Sequence, residues 1–184
     1  VVLLKDSGAN VFVNISSPKF ATQAIRKAAD LSWKPLHIIS NVSTSPVRVL
    51  KAAGLRKSVG LVSASYLKMP TDPRWKRDAD YKHWLAWMKA YNPGADVANN
   101  FNVYAYVAAQ TLVQVLTQAG DNLTRENVMK QAANMKEAKV KMLLPGVTIN
   151  TSPTDYRPIE QMQLMKFDGK SWILFGDVID ASAN

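Results

Sequence analysis

Cysteine is absent from all 184 residues, which excludes disulfides and thiolate metal ligands. Histidine is scarce: His37 and His83 are the only two, far apart in sequence, and the carboxylates do not gather at metal-ligand spacing. Within PLHII, His37 reads as a packed histidine rather than a ligand. No apolar run approaches the roughly 20 residues that a membrane-spanning helix needs. The sequence carries no Gly-rich phosphate loop, dinucleotide fingerprint or Gly-x-Ser-x-Gly elbow. Asp78 and Asp80 are two apart in a charged helical stretch, a spacing that keeps them off one face. With this bare repertoire no enzyme is expected, and no cofactor or metal.

Acid is also in short supply, 14 residues against 23 basic ones, for a formal net charge of +9. The basic residues concentrate at Arg74, Lys76 and Arg77 and across residues 136–141, where acids or apolar residues interrupt them. They form no single stripe of the kind that tracks a phosphate backbone, so nucleic acid is not an expected partner. Hydrophobic residues make up 47% of the chain, enough for one core or for two small lobes sharing a hinge.

What is present is organised around residues 10–45. VFVNI is a β-rich run bounded by Ser16-Ser17-Pro18-Lys19. Phe20, Ala21, Ala24, Ile25, Ala28 and Leu31 then recur at helical spacing, with Thr22, Gln23, Arg26, Lys27 and Asp30 on the other face. PLHII is a second short apolar run, closed by Ser40 and Asn41. Strand, crossover helix and strand make a βαβ unit with parallel strands. Both strands then leave the sheet at one edge, through loops crowded with hydroxyls and amides. Ligands of open α/β sheets bind beyond that edge.

The opening Val1–Gly8 reads as the last turns of a helix with Gly8 as its left-handed cap, and the chain is expected to be a fragment or a processed piece. Residues 46–54 read as a short helix ending in Gly54, residues 59–66 as a strand, and the two prolines of MPTDPR as a crossing between lobes. A helix is expected over residues 75–91, with Tyr81, Trp84, Leu85, Met88 and Tyr91 on one core stripe. Asn99 or Asn100 caps the next helix, which ends at Gly120 and is apolar on most sides, so burial is expected. The sequence supplies no visible sheet for it, so a second chain or a dimer partner is expected to cover residues 101–119. Thr124 is a further cap, with Leu123 and Val128 spaced as a hydrophobic staple. Near the end, Asp168-Gly169 reads as a tight hairpin turn between two β runs.

The run VVLLKDSGANVFVNISSPKFATQAIRKAADLSWKP resembles the second lobe of the leucine/isoleucine/valine-binding family, periplasmic solute-binding proteins of ABC importers. The Phe101-Asn102-Val103-Tyr104-Ala105-Tyr106-Val107-Ala108-Ala109-Gln110 helix is similar to that family's central helix. Ser152-Pro153-Thr154-Asp155-Tyr156-Arg157-Pro158, Gln161 and the Phe167-to-Trp172 hairpin resemble its closing section. The resemblance implies an α/β, two-lobed type I periplasmic-binding fold with parallel sheets flanked by helices and a ligand clamped between lobes. It assigns residues 1–68 to the second lobe, 69–158 to the remainder of the first, and 159–184 to a hairpin returning to the second. The first half of lobe one is then missing.

By the same resemblance the protein is periplasmic and works with the membrane subunits of an ABC importer, with a small molecule as ligand. Ser16, Ser17, Asn41 and Ser43 are expected along one wall of the cleft, with Tyr66 and Phe101 near its floor and Phe20 available as a flat contact. In amino-acid-binding members an acidic residue at the second strand exit pairs with the ligand ammonium; the matching position here is Asn41. A buried ammonium without a carboxylate is costly. The expected ligand is therefore an aromatic or other hydrophobic carboxylate. The alternatives are a branched-chain amino acid held by an acid elsewhere, and the ligand-binding domain of a sensor or receptor.

Overall fold

A computed structural model of the chain describes residues 1–182. The last two residues of the expected return segment, 183 and 184, lie outside that range. The chain runs through α1 (Val2–Asp6), β1 (Val11–Asn14), α2 (Pro18–Asp30), β2 (Leu36–Ile39), α3 (Lys51–Ala53) and β3 (Val62–Ser65). It continues through α4 (Ala79–Tyr91), α5 (Asn100–Ala119), α6 (Arg125–Ala132), β4 (Gln161–Phe167) and β5 (Trp172–Asp180).

The five strands form one sheet in the order β1-β2-β3-β4-β5. β1 lies parallel to β2, with Val11 opposite Leu36 and Asn14 opposite Ile39, and β2 lies parallel to β3. The expected parallel unit is therefore present, and both strand exits reach one edge. β4 runs antiparallel to both β3 and β5. The turn between β4 and β5 spans four residues rather than two. Asp168 Oδ1 accepts from the backbone N–H groups of Lys170 and Ser171, both at 2.7 Å, so the acid organises a wider loop. Gly169 sits there at φ +105°, and a Cβ would meet Val59 Cγ2 at 3.2 Å.

Among the described residues the buried side chains gather in two clusters, with Leu174 packed against both. One lies between the sheet and α2–α3, where Ala21, Ile25, Val49, Leu50 and Leu61 pack with Met165, Phe167 and Trp172. The other is helical: Trp84, Met88, Val103, Tyr106, Val107 and Val115 close on the irregular 135–149 stretch through Met135, Met142, Leu144 and Ile149. The chain threads between them at residues 66–69. Leu67 belongs to the helical core and Met69 to the sheet core. The segment is stitched to 142–144 by Lys68 N–H donating to Met142 O (2.9 Å) and Leu144 N–H to Tyr66 O (2.9 Å).

Five local expectations change, the first being Tyr91, expected on the core stripe of its helix but 75% exposed. The helix expected over 75–91 breaks at Asp78: Pro73–Arg77 is a 3₁₀ turn, and Asp78 caps α4 by accepting from Tyr81 N–H at 2.9 Å. Because Asp78 sits outside the helix, the two-apart rule does not govern it, and Lys68 Nζ reaches both Asp78 and Asp80 at 2.9 Å. α5 is buried on one side only. Leu112 and Val113 are more than half exposed on its outer side, and Tyr104, 55% exposed, faces elsewhere, onto the cavity described below. Leu123 also stays 62% exposed, so the expected staple does not bury it. Of the two candidate caps, Asn99 is the one used, its Oδ1 accepting from Phe101 N–H at 3.2 Å.

Candidate functional site

The first strand exit is held by its own side chains. Asn14, 5% exposed, accepts on Oδ1 from Ser16 N–H at 3.2 Å and from the Ser16 hydroxyl. Ser43, fully buried, donates to Ser16 O at 2.7 Å and so ties the second exit to the first. The second exit turns through a 3₁₀ segment, Asn41–Ser43, which Thr44 closes by donating its hydroxyl to Asn41 O at 2.7 Å. Trp172 Nε1 donates to Thr44 O at 2.7 Å, fastening this loop to β5 across the sheet.

Beyond that edge a cavity of about 440 Å³ opens between the second exit, the end of β3 and the first turn of α5. Asn41, Thr44, Tyr66, Asn100, Phe101 and Tyr104 line it, with Val42, Ser65, Leu67 and Met69. Of the seven residues singled out in the sequence, the structure brings Asn41, Tyr66 and Phe101 together here. Ser16 and Ser43 serve the loop junction and do not line the cavity. Ser17 is the N-cap residue of α2 and solvent-exposed, and Phe20 stands 57% exposed on α2; neither lines the cavity.

Sequence reasoning missed Thr44, Asn100 and Tyr104. Once Asn99 takes the cap, Asn100 is left in the first turn, 7% exposed, with an Oδ1 that meets no donor among the described residues. The only available signal was the doubled asparagine ahead of an apolar helix. Tyr104 falls one turn further along the same face. Tyr66 and Tyr104 divide this cavity from a neighbouring apolar one of about 390 Å³, lined by Val107, Ala108, Ile149, Ile159 and Met162. Burial, and then the nearby Tyr104, push the Tyr66 hydroxyl above its usual range, so it remains a neutral hydrogen-bond donor.

The electrostatics are one-sided. Neither cavity is lined by an aspartate or a glutamate. The α5 N-terminus presents the positive end of a 20-residue helix to the first cavity. Hydroxyls, amides and a helix N-terminus bind a carboxylate, a phenol or a carbonyl, but give an ammonium no counter-charge. No group of three or more possible metal-ligating side chains occurs among the described residues.

A family model described as periplasmic binding protein matches residues 1–171. The chain belongs to the periplasmic binding protein family. Solved structures of such proteins share its fold. One is a branched chain amino acid ABC transporter protein from Thermus thermophilus with bound valine, at 15% identity and a TM-score of 0.79, covering 97% of this chain and 48% of its own. A leucine-binding protein from Thermotoga maritima, at 13% identity and TM-score 0.71, covers 100% and 48%. An extracellular ligand-binding receptor from Rhodopseudomonas palustris, at 15% identity and TM-score 0.72, covers 95% and 50%. The chain thus spans about half the length of these structures, and its α/β architecture is part of the type I periplasmic binding fold. No curated protein matches it.

Proposed function

We infer that this chain is the ligand-gripping part of an extracytoplasmic solute-binding component of an ABC importer. Residues 1–68 with the 159–184 return form the second lobe and 69–158 the remainder of the first; the two cores follow this division except around the crossing, where Leu67 packs in the helical core and Met69 in the sheet core. The ligand lies between the lobes, in the cavity bounded by Asn41, Tyr66 and the head of α5. It is a small organic acid with an aromatic or otherwise hydrophobic body. The observation that carries this reading is the absence of any carboxylate from a cavity lined by an amide pair, tyrosines and a helix N-terminus.

In this arrangement the ligand carboxylate accepts from Asn41 and the α5 N-terminus, while its body lies against Phe101 and Tyr104. Branched-chain amino acid binding is the second reading, favoured by the valine held in the Thermus structure. It requires an acidic residue outside this cavity wall.

A thermal-shift screen of the full chain with benzoate, phenylacetate, leucine and valine separates the two. The organic acids raise the melting temperature on the first reading; stabilisation by leucine and valine alone overturns it. Asn41→Ala weakens the bound acid by about 1–2 kcal/mol, the usual loss for an unmade buried hydrogen bond, as read by calorimetry.

A further inference from the structure

A groove of about 490 Å³ opens at the opposite end of the sheet, between the C-terminal half of α2, the start of β2 and the 56–61 loop. Its floor is apolar, with Ile25, Ala28 and Leu61, and Trp33 forms part of its wall. Its rim is cationic, with Lys34, Arg56 and Lys57. Lys57 is paired with Asp30 at 2.6 Å, which leaves Lys34 and Arg56 without an ion-pair partner among the described residues.

His37 also lines this groove, 7% exposed. Its ring state follows from its neighbours. The Asn14 amide is oriented by Ser16, whose backbone N–H requires an acceptor and takes Oδ1. Asn14 Nδ2 therefore faces His37 Nε2, at 3.3 Å, and Nε2 must accept. Burial also lowers the His37 imidazole to about 4, so the ring is neutral at physiological pH. The ring hydrogen then sits on Nδ1. That N–H has no acceptor among the described residues, and it is not sealed from solvent. Phe12 stacks on the ring at 4.4 Å and Trp33 on Phe12 at 5.4 Å, and the Trp33 indole donates to Ala9 O. The aromatic group is thus fixed in place, with one free donor.

We propose that this groove is a second binding site for a flat organic anion, an aromatic or heteroaromatic carboxylate. Its ring lies on the Ile25, Ala28 and Trp33 wall. Its carboxylate accepts from His37 Nδ1–H and is neutralised by Lys34 and Arg56. The groove has its own lining and shares no residue with the interlobe cavity.

The test uses the full chain with labelled histidine, followed by NMR at neutral pH. Benzoate is the probe, and inorganic phosphate is the comparison anion. Benzoate shifts the His37 ring nitrogens saturably, and Asn41→Ala leaves that titration unchanged. The exposed charge reversals Lys34→Glu and Arg56→Glu each weaken it about tenfold, as expected for a lost charge-assisted contact. An unmoved His37 signal under saturating benzoate overturns the proposal. So does a response to phosphate as strong as that to benzoate, which would show that the apolar floor is unused. Loss of the response in Asn41→Ala would place the binding in the interlobe cavity and overturn the second site, leaving the main functional reading intact.

Discussion

The two cores satisfy their polar groups in different ways. In the sheet core, Trp172 is fully buried and its indole N–H is spent on Thr44 O. In the helical core, Trp84 is equally buried, and its N–H meets no acceptor among the described residues. The sheet core has five paired strands, whereas the helical core has only helices and isolated bridges around the 138–155 stretch. Its longest helix, α5, leaves Tyr104, Leu112 and Val113 open. A βαβ unit with its own sheet closes on itself. At the crossing the helical core is stitched by backbone bonds of Tyr66 and Lys68 to Leu144 and Met142, and the Lys68 ammonium adds a tie to the start of α4.

Lys68 is 4% exposed and holds the cap residue and the first-turn acid of α4 together. Replacing it with methionine strands two carboxylates and lowers stability by about 2 kcal/mol, below the full cost of a broken buried pair because both acids are partly exposed. If the comparison holds, hydrogen exchange quickens in α4 and α5 and is unchanged in β4 and β5. Uniform quickening would show that the two cores unfold as one.

The same contact gives a pH signature. Burial works against ionising Asp78, but its hydrogen bonds to Lys68 and Tyr81 N–H outweigh that and hold its carboxyl below the usual range. A depressed carboxyl contributes stability that is present above its ordinary titration range and lost as pH falls through its lowered value. Unfolding by urea in steps from neutral pH into acid therefore shows a falling limb that Lys68→Met flattens.

A smaller effect separates the two tryptophans. Trp172→Phe and Trp84→Phe remove similar volume from fully buried sites, but only the first leaves a carbonyl, Thr44 O, without its donor. Urea denaturation is expected to show Trp172→Phe costing about 1 kcal/mol more. Smallest of all is Val113→Ser on the open side of α5, at 62% exposure, expected to change the stability of this chain by less than about 0.5 kcal/mol.

Local signals were legible in the sequence. The period-3.6 pattern of α2 buries Ala21, Ile25 and Ala28 as expected, Gly8 takes φ +78° after α1, and β1 and β2 are parallel. Long-range placements were not legible. Lys68 looks like a surface lysine because its partners lie 10 and 12 residues on, across a proline-rich crossing. Ser43 looks like a ligand contact, but its hydroxyl is consumed by Ser16 O, a residue 27 positions away. Asn100 and Tyr104 enter the candidate site only because the chain crosses between cores before α5, which no local pattern encodes. Phe20 shows the converse: it fits the apolar period of α2, yet it stands 57% exposed while Ala21, Ile25 and Ala28 hold the buried face.

On the proposed reading, the cavity selects an organic acid because position 41 carries an amide rather than a carboxylate. Calorimetric titration of the full chain and its Asn41→Asp variant with benzoate and with leucine tests it most directly. The account predicts that the wild-type chain binds benzoate in preference to leucine, and that Asn41→Asp reverses the order. Tight leucine binding by the wild-type chain, with no heat from benzoate, would contradict it.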